Sequence, residues 1–311
     1  DISNTYIPNF DFSNYNFEAV KRYIEDLRLS ANDTTVVTYY ITGYTSSNQY
    51  RCGIELPQSR SILFGRNTSI GSNGVTLLMK YDGDVLNNTS STAHPKVSGV
   101  AYHPYLYRYF FSPMDSTTTW TYVVDTPATS GSNYVTTMVG PSLVANSYGG
   151  IIYHPPTQRC YLIPYAITTQ ASWHYIGNTL SVTSYTHGQT GLVANGYYGG
   201  VFSPTDNRIY FVPHGQANQT NWHYIDSSGN VQSYAHGLST LPVANAYWGG
   251  VYSPTQNRIY FVPYAQSNQS TWHYIDCWTG TVVEYSHGIT PALIANGFSG
   301  GAYTPTQNRI Y

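Results

Sequence analysis

Residues 249–276 read GGVYSPTQNRIYFVPYAQSNQSTWHYID, and residues 199–226 read GGVFSPTDNRIYFVPHGQANQTNWHYID. The two stretches agree in a glycine pair, a proline, an arginine and a Trp-His-Tyr-Ile-Asp ending. Self-similarity at a fixed period is the mark of a repeated building unit rather than of a catalytic signature. The unit extends in both directions. The second glycine of the pair falls at Gly150, Gly200, Gly250 and Gly301, with Ser98-Gly99 and Cys52-Gly53 as weaker versions of the same step. A proline and an arginine follow at nearly constant offset, giving Arg60, Arg108, Arg159, Arg208, Arg258 and Arg309. Six of the thirteen basic residues thus occupy one repeat position, which argues that all six units share one structure.

Each unit reads as strands. VYS leads through a Pro-Thr-Gln-Asn turn to RIYFV, then a Gln/Asn/Ser loop, then TWHYID, a short turn and TVVEY. These runs are rich in Val, Ile, Tyr, Phe and Trp and bounded by turn formers. Four short strands in about fifty residues is the arithmetic of a β-propeller blade. The unbroken apolar run Ile259-Tyr260-Phe261-Val262 fits inner strands covered on both faces. Glycine suits an innermost strand that crowds a central axis. Tyr148, Tyr198 and Trp248, just before the pairs, are expected to pack between blades.

The diglycine, the YID-turn-TG-TVVEY ending and the period resemble kelch-type propeller repeats, and more closely the GGVYSPTxNRIYFVP repeats of viral and microbial proteins. The resemblance covers residues 34–311. It implies a fold and says almost nothing about function. It also departs from kelch: the outer-strand tryptophan is absent, and the tryptophan here precedes HYID.

Full units begin near residues 52, 97, 148, 198 and 248, and a further one near 298. The expected architecture is all-β, a six-bladed β-propeller of four-stranded blades. Its last blade is split between residues 34–50 and 298–311, with Tyr40-Ile41-Thr42 matching Tyr274-Ile275-Asp276. Pairing strands from the two ends would remove open edges. The alternative is that more blades follow residue 311. Residues 1–33 form an N-terminal extension, with a helix expected over 17–29 after Asn16. Phe17, Val20, Ile24 and Leu27 would share one face, to pack on the rim or to dock a protein partner.

Composition narrows the function classes. Charged residues are only 9% and net charge is −2, so nucleic-acid binding has no electrostatic footprint. No apolar run is long enough for a membrane span. The opening DISNTYIPNF has neither the charged nor the apolar region of a signal peptide. Cys52, Cys160 and Cys277 have no metal-like spacing, and Cys160 reads as a core residue at the place of Ile209 and Ile259. Sequons occur at Asn32, Asn67, Asn87, Asn88, Asn218 and Asn268. Of these Asn67, Asn88, Asn218 and Asn268 are candidate glycosylation sites, the last two in repeat-equivalent loops.

No catalytic constellation emerges. His174, His223 and His273 share one repeat position and His187, His236 and His287 another, so they sit on different blades, too far apart to share an ion. They are expected to be structural, bonding turn carbonyls or stacking on tyrosine. Arg208 and Arg258 are expected to meet Asp226 and Asp276, which end the neighbouring strand. A sialidase-type Asp box, GxSxG, HExxH and a P-loop are all absent from the sequence. The expectation is a non-catalytic recognition or structural propeller, without cofactor or metal, exposed on a virion or microbial cell surface. It would contact glycan or protein through Gln170, Gln216, Asn218, Gln266 and Asn268 in the loops at 166–172, 215–221 and 265–271. An intracellular kelch-like adaptor and a carbohydrate-active propeller enzyme are the competing classes.

Overall fold

A computed structural model describes residues 50–56, 61–66, 75–80, 85–89, 96–114, 118–124, 134–290 and 293–311. The fold is all-β. Among the described residues the one helical element is a 3-10 turn at Ala265–Asn268. Blade 1 consists of Tyr50–Leu56, Ser61–Arg66, Val75–Lys80 and Val85–Thr89; blade 2 of Val97–His103, Arg108–Pro113, Thr119–Val124 and Tyr134–Val139. Blade 3 consists of Tyr148–His154, Arg159–Pro164, Ser172–Ile176 and Val182–Thr186. Blade 4 holds Tyr197–Ser203, Arg208–Pro213, Asn221–Ile225 and Val231–Ala235; blade 5 holds Tyr247–Ser253, Arg258–Pro263, Thr271–Asp276 and Thr281–Ser286. Each is a four-stranded antiparallel sheet in simple sequence order. Tyr303–Thr304 and Arg309–Ile310 form a further two-stranded sheet. The expected helix at 17–29 and the closing segment 34–49 lie outside the described residues.

Burial follows position in the blade. After its arginine, the second strand of blade 4 is buried throughout, as expected for a strand covered by blades on both faces. The outer strand Val231–Ala235 alternates instead, with one face toward water. Cores run from blade to blade: Val201, Tyr210 and Val212 of blade 4 join Tyr247, Ile259, Phe261 and Ile275 of blade 5. Cys160 fills a core position beside Leu162 and Ile163. Cys52, Cys160 and Cys277 are free thiols, and burial pushes the Cys277 thiol up to about 11.

The register revises the reading of the glycines. Tyr148 pairs with Pro164, Tyr197 with Pro213 and Tyr247 with Pro263, so these three tyrosines are equivalent. Tyr198 and Trp248 therefore correspond to Gly149, not to Tyr148. The diglycine of blade 3 is displaced by one residue, and Gly150 is the counterpart of Gly199. The innermost strands touch through Gly99, Gly150, Gly199, Gly249 and Gly300. A Cβ at Gly99 would stand 3.0 Å from the Cα of Gly150, and one at Gly150 3.1 Å from the Cα of Gly199. Gly200 and Gly250 do something else. Their missing side chains make room for Ile163 and for Val201 of the preceding blade. Gly301 likewise faces Val251 and Val262.

From blade 2 onward the turn after the inner strand is closed by a residue in the left-handed region: Tyr107, Gln158, Asn207, Asn257 and Asn308 have φ near +52°, +54°, +56°, +51° and +52°. Asparagine tolerates this conformation better than most residues, which explains its recurrence before the arginine. The same turns are laced across blades. His103 Nε2 donates to the Gln158 carbonyl at 3.1 Å and His154 Nε2 to that of Asn207 at 3.0 Å. Thr205 Oγ1 and Thr255 Oγ1 donate to Oδ1 of Asn257 and Asn308, each at 2.5 Å. In blade 1, Leu56 pairs with Ser61, which puts Ser61 rather than Arg60 at the arginine position; Arg60 itself lies outside the described residues.

Candidate binding site

The repeated histidines build scaffold. Tyr197 meets His223 Nδ1 at 2.5 Å, and Tyr148–His174 and Tyr247–His273 are the same pair in blades 3 and 5. Each ties the inner strand to the third. The second set stacks on the repeat tryptophan, His187 on Trp173 at 4.0 Å and His287 on Trp272 at 4.3 Å. His236 Nδ1 accepts from the Leu238 amide at 3.1 Å, so its proton sits on Nε2, which donates to the Gln219 carbonyl at 2.7 Å.

Burial pushes His223 down to about 4 and lowers His103, His154, His174, His214 and His273 in the same sense. Such a histidine stays neutral when folded but takes a proton below about pH 6.5 when unfolded. Stability should therefore fall as pH drops from about 6.5 toward 4, by on the order of 1–3 kcal/mol for His223. Urea midpoints measured from pH 7.5 to 4.5 test this; a flat profile would sink it.

Arg208 and Arg258 do not bridge Asp226 and Asp276. Arg258 is the register partner of Asp276, but its guanidinium lies over the Tyr274 ring at 4.4 Å. Arg208 and Arg159 lie over Tyr224 and Tyr175, both at 4.3 Å, and Arg108 over Tyr122 at 5.4 Å. Asp226 instead caps its own turn, Oδ1 accepting from the amides of Ser228 and Asn230 at 2.9 Å each. Asp276 does the same for Trp278 at 3.0 Å. Arg309 is exposed.

The loop residues separate into two kinds. Gln170, Asn218 and Asn268 are exposed. Gln216 and Gln266 are buried. Gln216 Nε2 donates to the Gly196 carbonyl at 3.1 Å, and Gln266 Nε2 to that of Thr271 at 3.1 Å. They latch their loops in place. Of the candidate glycosylation sites, Asn67 lies outside the described residues and Asn88 falls on the outer strand of blade 1, paired with Thr76.

A group the repeat does not explain sits beside the axial glycines, at the end where the inner strands begin. Tyr198 and Trp248 hold a position given to Ser98, Gly149 and Ser299 elsewhere, and His214 one given to Met114, Tyr165 and Tyr264. Tyr198 and Trp248 lie 4.1 Å apart, Trp248 and Tyr264 4.7 Å, and Tyr165 and Tyr198 5.3 Å. His214 packs edge-on against Trp248 at 5.2 Å. Its Nδ1 donates to the Tyr247 carbonyl at 3.0 Å, so its proton is fixed there and burial keeps the ring neutral. The Nε2 lone pair remains as an acceptor among aromatic faces. Trp248, Tyr165 and Tyr264 are half-buried, leaving part of each ring to solvent. The departures from the repeat were the sequence signal for this group. Tyr198 and His214 are themselves buried, so what the cluster offers a ligand first is the part-exposed aromatic side chains of Trp248, Tyr165 and Tyr264.

No family model and no curated protein matches the chain. Solved structures do. The streptogramin B lyase structure aligns at 14% identity over 88% of this chain and 78% of that one, with a TM-score of 0.59. Kuenenia stuttgartiensis hydrazine synthase aligns at 13% identity over 88% and 76%, with a TM-score of 0.60. A functionally unknown protein from Desulfotomaculum acetoxidans gives 11%, 84%, 76% and 0.51. The first two are β-propellers, and both are named as enzymes. At these identities the likeness carries the fold and no activity: the chain is a β-propeller of repeated four-stranded blades.

Proposed function

We propose that this propeller is a non-catalytic recognition module displayed on a virion or microbial cell surface, and that it binds glycan or protein through the aromatic mouth around Trp248. The reading takes the repeats as kelch-like and the ring as six-bladed, completed by residues 34–50 in the blade that begins near 298. The observation that carries it is the packing of the non-repeated Tyr198, His214 and Trp248 with Tyr264, with the histidine set among rings. Aromatic faces stack on the C–H face of a sugar or seat an apolar side chain, and a charge-poor surface leaves that contact unopposed by desolvation of ions. The exposed Gln170, Asn218 and Asn268 lie on loops that follow second strands, as Tyr165, His214 and Tyr264 do, and supply polar contacts at the rim.

A glycan array and a surface-protein pull-down with the full chain test this. Binding should fall by at least about tenfold in Trp248→Ala, a truncation at an aromatic anchor. Equal binding by the variant would remove the mouth from the account. Turnover of a bound glycan would replace recognition by catalysis and favour the carbohydrate-active alternative.

A further inference from the structure

In blades 3, 4 and 5 a tyrosine–histidine pair ties the inner strand to the third. In blade 5 alone the tie can reach one strand further. His174, His223 and His273 each face one residue of the outer strand. That residue is Ser184 in blade 3, Ser233 in blade 4 and Glu284 in blade 5. His273 Nε2 stands 3.6 Å from Glu284 Oε2. The ring is buried and its Nε2 has no hydrogen-bond partner, while Glu284 is exposed. Among the described residues no carboxylate pairs with His174 or His223.

With the Tyr247 hydroxyl donating to Nδ1, the proton of the neutral His273 ring sits on Nε2 and points at Glu284. At 3.6 Å this is not yet a hydrogen bond. A second ring proton changes the contact. The imidazolium donates from both nitrogens, Nδ1 to the Tyr247 oxygen and Nε2 to the carboxylate, and the charge-assisted bond draws Glu284 in. Burial opposes charging of all three histidines and holds His223 at about 4. At His273 burial again dominates, but the Glu284 carboxylate works against it. Three titratable groups face that ring: Tyr247 from the inner strand, Glu284 from the outer strand, and His236 of blade 4, which disfavours a second charge nearby.

We propose that Tyr247, His273 and Glu284 form an acid-operated latch, in which a proton bound at His273 ties the inner, third and outer strands of blade 5 to one another. In blades 3 and 4 the tie ends at the histidine, with a serine beyond it. Acid therefore loosens those two blades before blade 5, the blade that carries Trp248. None of this depends on what the propeller recognises.

Histidine ring resonances of the full chain are followed by NMR from pH 8 to 4. Glu284→Gln should lower the His273 midpoint by about one unit, a tenfold loss of proton affinity. Glu284 and Ser233 are both exposed, so their variants should fold as the parent does, and urea midpoints at pH 7.5 check this. Ser233→Glu builds the pair in blade 4 and should raise the His223 midpoint from about 4 by about one unit. Hydrogen exchange reads the latch itself. Between pH 7 and 5, amide protection in Ser172–Ile176 and Asn221–Ile225 should fall about tenfold further than in Thr271–Asp276, and Glu284→Gln should erase that difference. An unmoved midpoint in either variant, or protection that falls as far in blade 5 of the parent as in the other two blades, would overturn the latch.

Discussion

Gly150→Val is expected to destabilise the protein by about 3 kcal/mol or more, seen as a large fall in the urea midpoint without a change in slope. The reason lies at the axis. Even a methyl group at Gly150 would stand 3.1 Å from the Cα of Gly199, and the atom it meets is backbone, which cannot rotate away. Valine adds two further carbons at that contact. Relief requires parting blades 3 and 4 along their inner strands, where Tyr197, Ile209 and Phe211 share a core with Ile151, Leu162 and Ile163. A control separates packing from backbone conformation. Gly188 has φ +69° and nothing within 4 Å of its missing Cβ, so Gly188→Ala should cost only about 1 kcal/mol. Equal midpoints for Gly150→Val and the parent would show that the axis is not close-packed there.

Trp173→Ala is expected to cost about 3–5 kcal/mol. Trp173 is fully buried, stacked on His187 and set edge-on to Phe211 of the next blade at 5.9 Å. Its indole N–H donates to the Ile167 carbonyl at 3.2 Å, so truncation leaves a cavity and an unpaired carbonyl together. The repeat supplies its own comparison. Trp222 occupies the same place in blade 4, but its indole nitrogen has no partner. Tryptophan to phenylalanine should therefore be about 1 kcal/mol costlier at 173 than at 222, since only Trp173 gives up a hydrogen bond. Thermal or urea unfolding of the two phenylalanine variants decides it, and equal costs at the two positions would refute the role given to that bond.

Much of the blade was legible because its determinants are local and repeated. The Pro-Thr-x-Asn turn, the apolar run after arginine and the Trp-His-Tyr-Ile ending each fall on the element their chemistry suggests. The register of blade 3 was not legible from its glycines. Aligning Gly150 with Gly200 is natural by eye, yet 49 residues separate Arg159 from Arg208 while 50 separate Gly150 from Gly200. The arginine spacing held the answer, because a strand's pairing is fixed by its turn and not by a glycine that serves two different contacts. The arginine partners were misjudged for another reason. Adjacent strand ends place Arg258 opposite Asp276, but a carboxylate two residues before turn amides finds those amides first. The aromatic cluster was hidden because Tyr198, Trp248 and His214 are exceptions to the repeat.

The lacing of turns from His103 to Asn308 has a mechanical meaning. From blade 2 onward each blade is tied to the next by a side-chain bond at the turns, in addition to the glycine contacts at the hub. A load that tries to spread blades 3 and 4 must break both at once, whereas one that peels an outer strand breaks neither. The laced blades thus act as a chain of linked plates, stiff against splaying and yielding from the outside inward, a property suited to a part that holds its shape while something pulls on its rim.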